Sequence, residues 1–245
     1  NGEKSCNFVS PIKAISLLGT MIGGYNVNSL VEILKKEDKV TSQEAANVLK
    51  KIILVYDAAN DIFELSKNNQ YAKQVIDSWA QAEWFTNKKS LPKEIKCLVF
   101  KVKGETNTDD LSPAVHATSR PDIPLHALSM LEFKEETGLN ILEDLKSQNI
   151  QIAYVGDVVG TGSSRKSAIN SLIWHIGENI PFVPNKKTGG IIIGGKIAPI
   201  FFNTAQDSGA LPIEADVSNL NTGDLIKIEP YEGLIKKIDP LTKIE

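Results

Sequence analysis

The chain has little cysteine, little net charge and no long apolar run. Its 245 residues include two cysteines, Cys6 and Cys97, which are too few and too far apart to predict a metal site. No secretory leader pattern is present, so we expect a reducing, cytoplasmic location and no disulfide. The formal net charge of −3 predicts no general attraction to nucleic acid. No apolar run approaches the roughly 20 residues that span a bilayer, so no membrane partner is expected.

The composition is that of an ordinary globular protein, with 42% apolar and 23% charged residues. At this length, one large domain or two ordinary ones are expected. A break in the hydrophobic pattern at Asn87–Pro92 separates a helical part from a part that contains strands. We therefore predict one domain over residues 1–90 and a second over residues 91–245. Because the chain starts at Asn1 without an initiating methionine, it is interpreted as a fragment of a longer protein.

The first domain has helical periodicity in short segments. Helices are predicted over residues 11–18, 29–36, 41–56 and 71–85. The pattern Thr41-Ser42-Gln43-Glu44 predicts a capping box with Thr41 as the N-cap. Pairs of short helices are typical of α-solenoids with repeats of about 40 residues, although the sequence contains no clear repeat.

In the second domain the periodicity changes to that of mixed strands and helices, which indicates an α/β domain. Strands are predicted over residues 95–102, 152–159, 189–193, 211–217 and 225–229, helices over 125–133, 139–147, 168–176 and 199–205, and a polar turn over 104–112.

The stretch Gly156–Ser167 is the most informative part of this domain. It joins a predicted buried strand to a predicted helix through a glycine-rich turn. Such a turn offers unpaired N–H groups and the positive end of a helix dipole, which together suit an anion. Arg165 adds a planar fork that can bind a carboxylate or phosphate through two hydrogen bonds. The alternative is a plain strand–turn–helix junction whose serines cap the helix.

Two nucleotide-binding motifs come close to this stretch, and both fail at Arg165. A P-loop needs a glycine directly before Lys166, and a dinucleotide fingerprint that starts at Gly160-x-Gly162 needs its third glycine at position 165. Nucleotide binding is therefore disfavoured.

Three blocks of sequence resemble the aconitase superfamily, and within it the bacterial aconitase B type. They are Gly162-Ser163-Ser164-Arg165 after the run Tyr154–Thr161, Gly104–Pro113 together with Ser119-Arg120-Pro121-Asp122-Ile123-Pro124, and Gly194–Asn203. The blocks are long, ordered and correctly spaced, and the resemblance runs through essentially the whole chain.

The resemblance implies a helical HEAT-like module followed by a compact α/β/α swivel domain, which closes over an iron–sulfur cluster held by other domains. It implies a hydro-lyase of the tricarboxylic acid cycle that isomerises citrate to isocitrate through cis-aconitate, or a 2-methylisocitrate dehydratase. The 4Fe–4S cluster of this family takes three cysteines and leaves one iron open for substrate. Neither Cys6 nor Cys97 lies in such a context. We expect the cluster ligands beyond Glu245, in the protein's own C-terminal domains, and we expect the fragment alone to be inactive.

The resemblance also implies roles for five residues. Ser163 matches the catalytic base and also contacts substrate, while Ser164 and Arg165 match substrate-binding positions. Arg120 matches a second arginine that binds a substrate carboxylate, although the sequence by itself would favour a solvated loop charge. Asp109 matches an acidic position that supports the active site. The three histidines have no metal-ligand spacing and receive no role; they are His116, His126 and His175.

Three alternatives remain open at this point. The small subunit of an isopropylmalate isomerase shares the swivel domain, but the helical module and the Ser119–Pro124 block argue against it. Some aconitases bind messenger RNA when the cluster is lost, and the net acidity gives that function no independent support. The helical module is also interpreted as a protein-interaction surface, for a homodimer or for neighbouring enzymes of the same pathway.

Overall fold

The computed structural model describes residues 8–21, 24, 26–52, 56–86, 90–135, 137–181 and 183–238. The chain divides into two compact units, Asn1–Ser90 and Leu91–Glu245. Cys6, residues 53–55 of a predicted helix and residues 87–89 of the predicted domain boundary lie outside the described residues. In the described ranges, no helix has both the length and the apolar character needed to cross a membrane.

The first unit is helical. Its helices are α1 Pro11–Leu18, α2 Val27–Leu34, α3 Thr41–Leu49, α4 Tyr56–Ser66, α5 Gln70–Ala80 and α6 Glu83–Thr86. Helix α1 begins where the sequence predicts, because Pro11 occupies the first helical turn and the Ser10 hydroxyl accepts a hydrogen bond from the Lys13 N–H. Apolar side chains at helical spacing, among them Leu34 and Leu49, form one core.

Several helix boundaries in this unit differ from the predictions. Helix α2 begins and ends two residues early, and the helix predicted over 41–56 ends at Leu49, since Tyr56 begins α4. Thr41 is not the N-cap of α3: the Asp38 carboxylate accepts hydrogen bonds from both the Thr41 N–H, at 2.8 Å, and its hydroxyl, at 2.7 Å. The predicted helix over 71–85 is divided at Ala82, whose positive φ of 52° interrupts the helical backbone. The capping pattern correctly predicted that α3 begins near Thr41, but the Asp38 carboxylate, and not the Thr41 side chain, accepts the hydrogen bonds at the start of the helix.

The second unit is built on a six-stranded sheet with the order β6-β5-β2-β1-β7-β8. The strands are β1 Ile95–Asn107, β2 Ile152–Thr161, β5 Ile191–Ile197, β6 Leu211–Glu214, β7 Leu225–Glu229 and β8 Leu234–Ile238, with a separate hairpin of β3 Glu178–Ile180 and β4 Val183–Thr188. The pairs β1–β2, β2–β5 and β5–β6 are parallel, whereas β7 pairs antiparallel with β1 and with β8. A helical region followed by a mixed α/β domain, as predicted, is therefore confirmed.

The helices of this unit lie on one face of the sheet. They are α7 Thr108–Leu111, α8 Ile123–Ala127, α9 Gly138–Lys146, α10 Lys166–Ile176 and α11 Pro199–Asp207. Helices α7, α9, α10 and α11 bury apolar side chains against Phe100 and Tyr154 of the sheet. The opposite face, which includes Val155, is covered by Val217 and Leu220 of an irregular segment. Within the described part of this unit, helices therefore cover one face of the sheet, whereas the expected α/β/α layering has helices on both.

Strand β1 is longer than predicted. The sequence suggested a polar turn from Gly104, but the backbone instead forms an irregularity between Val102 and Glu105 and then pairs with β2 again as far as Asn107. Gly104 absorbs the distortion with a φ of 72°. The predicted helix over 125–133 also ends early, at Ala127, and irregular turns follow it.

Parallel pairing brings the carboxyl ends of β1 and β2 together, with Asn107 opposite Thr161. The segments that follow these strands, α7 and the glycine-rich turn before α10, are therefore neighbours at one edge of the sheet. This is the edge at which α/β proteins place their ligand sites.

We predict that Gly160→Ala destabilises the second unit more than Gly104→Ala does. Both glycines have a positive φ, 76° and 72°, so each alanine costs about 1–2 kcal/mol of backbone strain. An added Cβ at Gly160 would also overlap the Phe201 ring, whereas at Gly104 nothing lies within 4 Å. Overpacking adds about 1–3 kcal/mol. Urea denaturation followed by circular dichroism measures both costs, and equal values would show that Phe201 moves aside freely.

Candidate active site

The glycine-rich turn leaves the start of α10 open. Gly162 has a φ of 90°, and Arg165 is the N-cap with an extended backbone and no side-chain capping bond. Ser163 and Ser164 therefore do not cap the helix, and the capping alternative is wrong. Among the described residues, the N–H groups of Lys166 and Ser167 have no hydrogen-bond partner. A helix start of this kind is suited to an anion.

Asp109 and Arg165 form an ion pair across the ends of β1 and β2. Arg165 Nη1 lies 2.5 Å from one Asp109 oxygen, and Nη2 lies 3.1 Å from the other. Asp109 is held in place because α7 begins with a capping box, in which the side chains of Asn107 and Asp110 each accept a hydrogen bond from the other's N–H. The Ala114 N–H also donates to Asp109, at 3.2 Å. Hydrogen bonds from Arg165 and Ala114 hold the pKa of the Asp109 carboxyl below its usual range.

One edge of the Arg165 guanidinium remains available. Nη1 donates to Asp109 and to the Ser112 carbonyl, at 3.1 Å, so both of its hydrogens are used. Nη2 uses one hydrogen for Asp109. Within the described residues, Nε–H and the second Nη2–H have no partner. These two parallel donors form a second fork that matches the two oxygens of a carboxylate.

Ser163 and Ser164 line a small cavity of about 110 Å³ together with Gly162, Arg165 and the start of α11. The Ser163 hydroxyl lies 3.4 Å from the Thr108 hydroxyl. Ser163 is exposed, and no hydrogen bond joins it to Arg165 among the described contacts. The exclusion of water that an alkoxide requires is therefore not provided by the described part of this chain.

Arg120 and Arg165 line the same depression, which has a volume of about 370 Å³. The main chain of Arg120 is fixed on both sides: its N–H donates to the His116 carbonyl at 2.9 Å, and its carbonyl lies 3.1 Å from His126 Nδ1. Its guanidinium has no partner among the described residues. The guanidinium is therefore available to a ligand carboxylate, and the substrate-binding role of Arg120 stays a prediction.

Three residues that the sequence analysis did not single out connect the two arginines. The buried Ser112 hydroxyl lies 2.7 Å from His126 Nε2 and 2.8 Å from the Ser167 hydroxyl. Ser112 and Ser167 both lie in or beside the sequence blocks quoted above, which was the available signal. The contact with His126 spans an irregular loop, and sequence spacing does not predict it.

The residues of this chain do not fit an iron–sulfur cluster. Among the described residues, no group of three His, Cys, Asp or Glu side chains is arranged to hold a metal ion. Cys97 is buried in the sheet, and burial raises the pKa of its thiol to about 12. The whole chain has two cysteines, one fewer than a cluster held by three cysteines requires.

Arg165 lines both the depression that contains Arg120 and the cavity that contains Ser163 and Ser164, and these donors together suit a small molecule with several carboxylates. Two sequence families match the chain: "Aconitate B N-terminal domain" over residues 1–85 and "Aconitate hydratase 2 N-terminus" over residues 97–244. The chain therefore belongs to the aconitate hydratase 2 family, which is also called aconitase B.

Relatives support this assignment along nearly the whole chain. Aconitate hydratase B of Synechocystis is 64% identical over 96% of the chain, that of Helicobacter pylori is 56% identical over 94%, and that of Escherichia coli is 53% identical over 96%. The chain spans only 27–28% of these proteins. A solved 3-isopropylmalate dehydratase from Methanocaldococcus jannaschii aligns with 60% of this chain and with 84% of its own length, at 20% identity and a TM-score of 0.40.

We predict that Arg165→Gln raises the pKa of Asp109 toward its usual value, because the strongest donor to the carboxylate is lost. A lowered pKa in the folded state means that the ion pair forms at neutral pH and is lost as the pH falls through the pKa of Asp109. Carbon-13 NMR of the side-chain carboxyl measures the titration.

Asp216 is the internal control for this titration. Its pKa is also lowered, but by hydrogen bonds from Ser218, so Arg165→Gln leaves it unchanged. An unchanged Asp109 titration in the variant would show that the ion pair does not form in solution.

Proposed function

We propose that this chain supplies the carboxylate-binding and proton-accepting half of an aconitate hydratase site. The remaining half, with the iron–sulfur cluster, comes from further domains of the same polypeptide. The observation that carries the proposal is that Arg120 and Arg165 line one depression and both keep donors without a protein partner in the described residues. The family assignment supplies the reaction, since the relatives are named aconitate hydratase B.

The two arginines bind the carboxylates of a tricarboxylate such as citrate, cis-aconitate or isocitrate. Arg165 uses its Nε/Nη2 edge while Asp109 holds the opposite edge and fixes the plane of the guanidinium. Arg120 binds a second carboxylate from its fixed position in the loop. Both 2-methylisocitrate and isocitrate carry three carboxylates, so these contacts do not distinguish them.

Ser163 is the base of the proposed reaction, and Ser164 is a substrate contact beside it. The Ser163 oxygen takes a proton from a carbon of the substrate; the electron pair of the broken C–H bond forms the double bond of cis-aconitate as hydroxide leaves the neighbouring carbon. The positive charge of Arg165 and the free N–H groups of Lys166 and Ser167 favour the alkoxide form of the serine. Residues of this chain account for the proton and for carboxylate binding, and not for the departure of hydroxide.

The exposure of Ser163 is consistent with a site that closes only against other domains. Closure removes water and strengthens each charge interaction inside the site. Binding of messenger RNA, self-association through the helical module and a cytoplasmic location stay predictions, because no contact among the described residues bears on them.

In the full-length protein with its cluster reconstituted, we predict that Ser163→Ala lowers kcat about 100- to 10,000-fold, the usual contribution of a general base. Arg165→Lys replaces a planar fork by a point charge and lowers kcat/KM about 10- to 100-fold. The 245-residue chain alone shows no turnover. The absorbance of cis-aconitate measures all three.

Ser147→Ala serves as the matched control, because the Ser147 hydroxyl, at the end of α9, donates to the Asp144 carbonyl of that helix. It is expected to leave both kinetic constants unchanged. Near-normal turnover in Ser163→Ala, with the cluster absorbance intact, would remove Ser163 from the role of base.

A further inference from the structure

We propose that His126 is a positioning residue for Arg120, and that through Ser112 it links the two arginines of the site. This inference rests on the proposed function, because it assumes that Arg120 binds a substrate carboxylate. His126 is only 8% exposed and Ser112 only 2%, so water competes little for their hydrogen bonds.

The Arg120 carbonyl fixes the direction of its hydrogen bond with His126. Nδ1 faces the Arg120 carbonyl at 3.1 Å, and a carbonyl only accepts, so Nδ1 carries the hydrogen. Nε2 forms the second hydrogen bond of the ring, with the Ser112 hydroxyl at 2.7 Å, and the Ser112 hydroxyl also bonds to that of Ser167 at 2.8 Å.

The network therefore ends on an arginine at each side. At one side, the Ser112 carbonyl accepts from Arg165 Nη1 at 3.1 Å. At the other, His126 donates to the main chain of Arg120. Arg120 lies between α7 and α8, outside the regular helices and strands. Among the contacts of the described residues, its bond to the His116 carbonyl and the contact with His126 hold the position from which its side chain lines the depression.

The two nitrogens of His126 can be tested separately. The amide nitrogen of asparagine lies near the position of Nδ1 and keeps a donor for the Arg120 carbonyl, whereas the amide of glutamine reaches the position of Nε2 and keeps a partner for Ser112. In the full-length, cluster-loaded protein, His126→Gln is expected to raise the KM for citrate about 5- to 10-fold with kcat within about 2-fold, the effect of one lost hydrogen bond. His126→Asn is expected to restore most of the wild-type KM.

Two further variants complete the test. His175→Gln is the matched control, since the His175 ring is similarly buried, at 7% exposed, but bonds through Nε2 to the Ala127 carbonyl at 2.8 Å and not to Arg120; it should leave the KM unchanged. In the Arg120→Ala background, His126→Gln should add nothing, because the side chain that it positions is absent. Melting temperature and cluster absorbance confirm that each variant is folded and loaded.

The outcomes separate the inference from the function on which it rests. If Arg120→Ala raises the KM but His126→Gln does not, or if asparagine is as harmful as glutamine, the positioning role is wrong and the substrate-binding role of Arg120 stands. If Arg120→Ala itself leaves the KM unchanged, then Arg120 does not bind substrate and both proposals fall.

Discussion

The site depends on the parallel pairing of β1 and β2, which continues past the irregularity at Gly104 to place Asn107 opposite Thr161. Because both strands end at the same edge, the capping box of α7 and the turn before α10 face each other. If β1 ended at Val102, as its sequence suggests, Asp109 would lose the position from which it meets Arg165. A local backbone irregularity at one glycine therefore decides whether Asp109, after β1, can reach Arg165, after β2.

The Asp109–Arg165 pair orients the guanidinium more than it stabilises the fold. The Asp109 side chain is 58% exposed, and exposed ion pairs contribute little to the free energy of unfolding. Its bidentate geometry, however, fixes the plane of the guanidinium and leaves the Nε/Nη2 edge open. Asp109 binds one edge of the guanidinium and leaves the donors of the other edge available. It therefore orients Arg165 without competing with a ligand for the same donors.

In the proposed function, the division of the site between domains explains why its chemistry is incomplete here. Carboxylate binding needs fixed donors, and the sheet edge, the capped α7 and the His126 network supply them. An alkoxide needs a dry surrounding, and the exposed Ser163 lacks one within the described residues. In the same proposal, substrate binds to the open surface and the base becomes effective only after other domains close over it.

The sequence by itself determined the order of helical and α/β regions, the strand and helix on either side of Gly160–Arg165, and the family, because periodicity and glycine-rich turns are local properties. Its resemblance blocks also named Arg120, Ser163 and Arg165. Only the tertiary structure decided which partners those residues have. Asp109 meets Arg165, and Ser112 meets His126, through strand pairing and an irregular loop that no local pattern encodes. The layering was likewise a tertiary outcome, since an apolar sheet face is satisfied equally by a helix or by a loop bearing Val217 and Leu220.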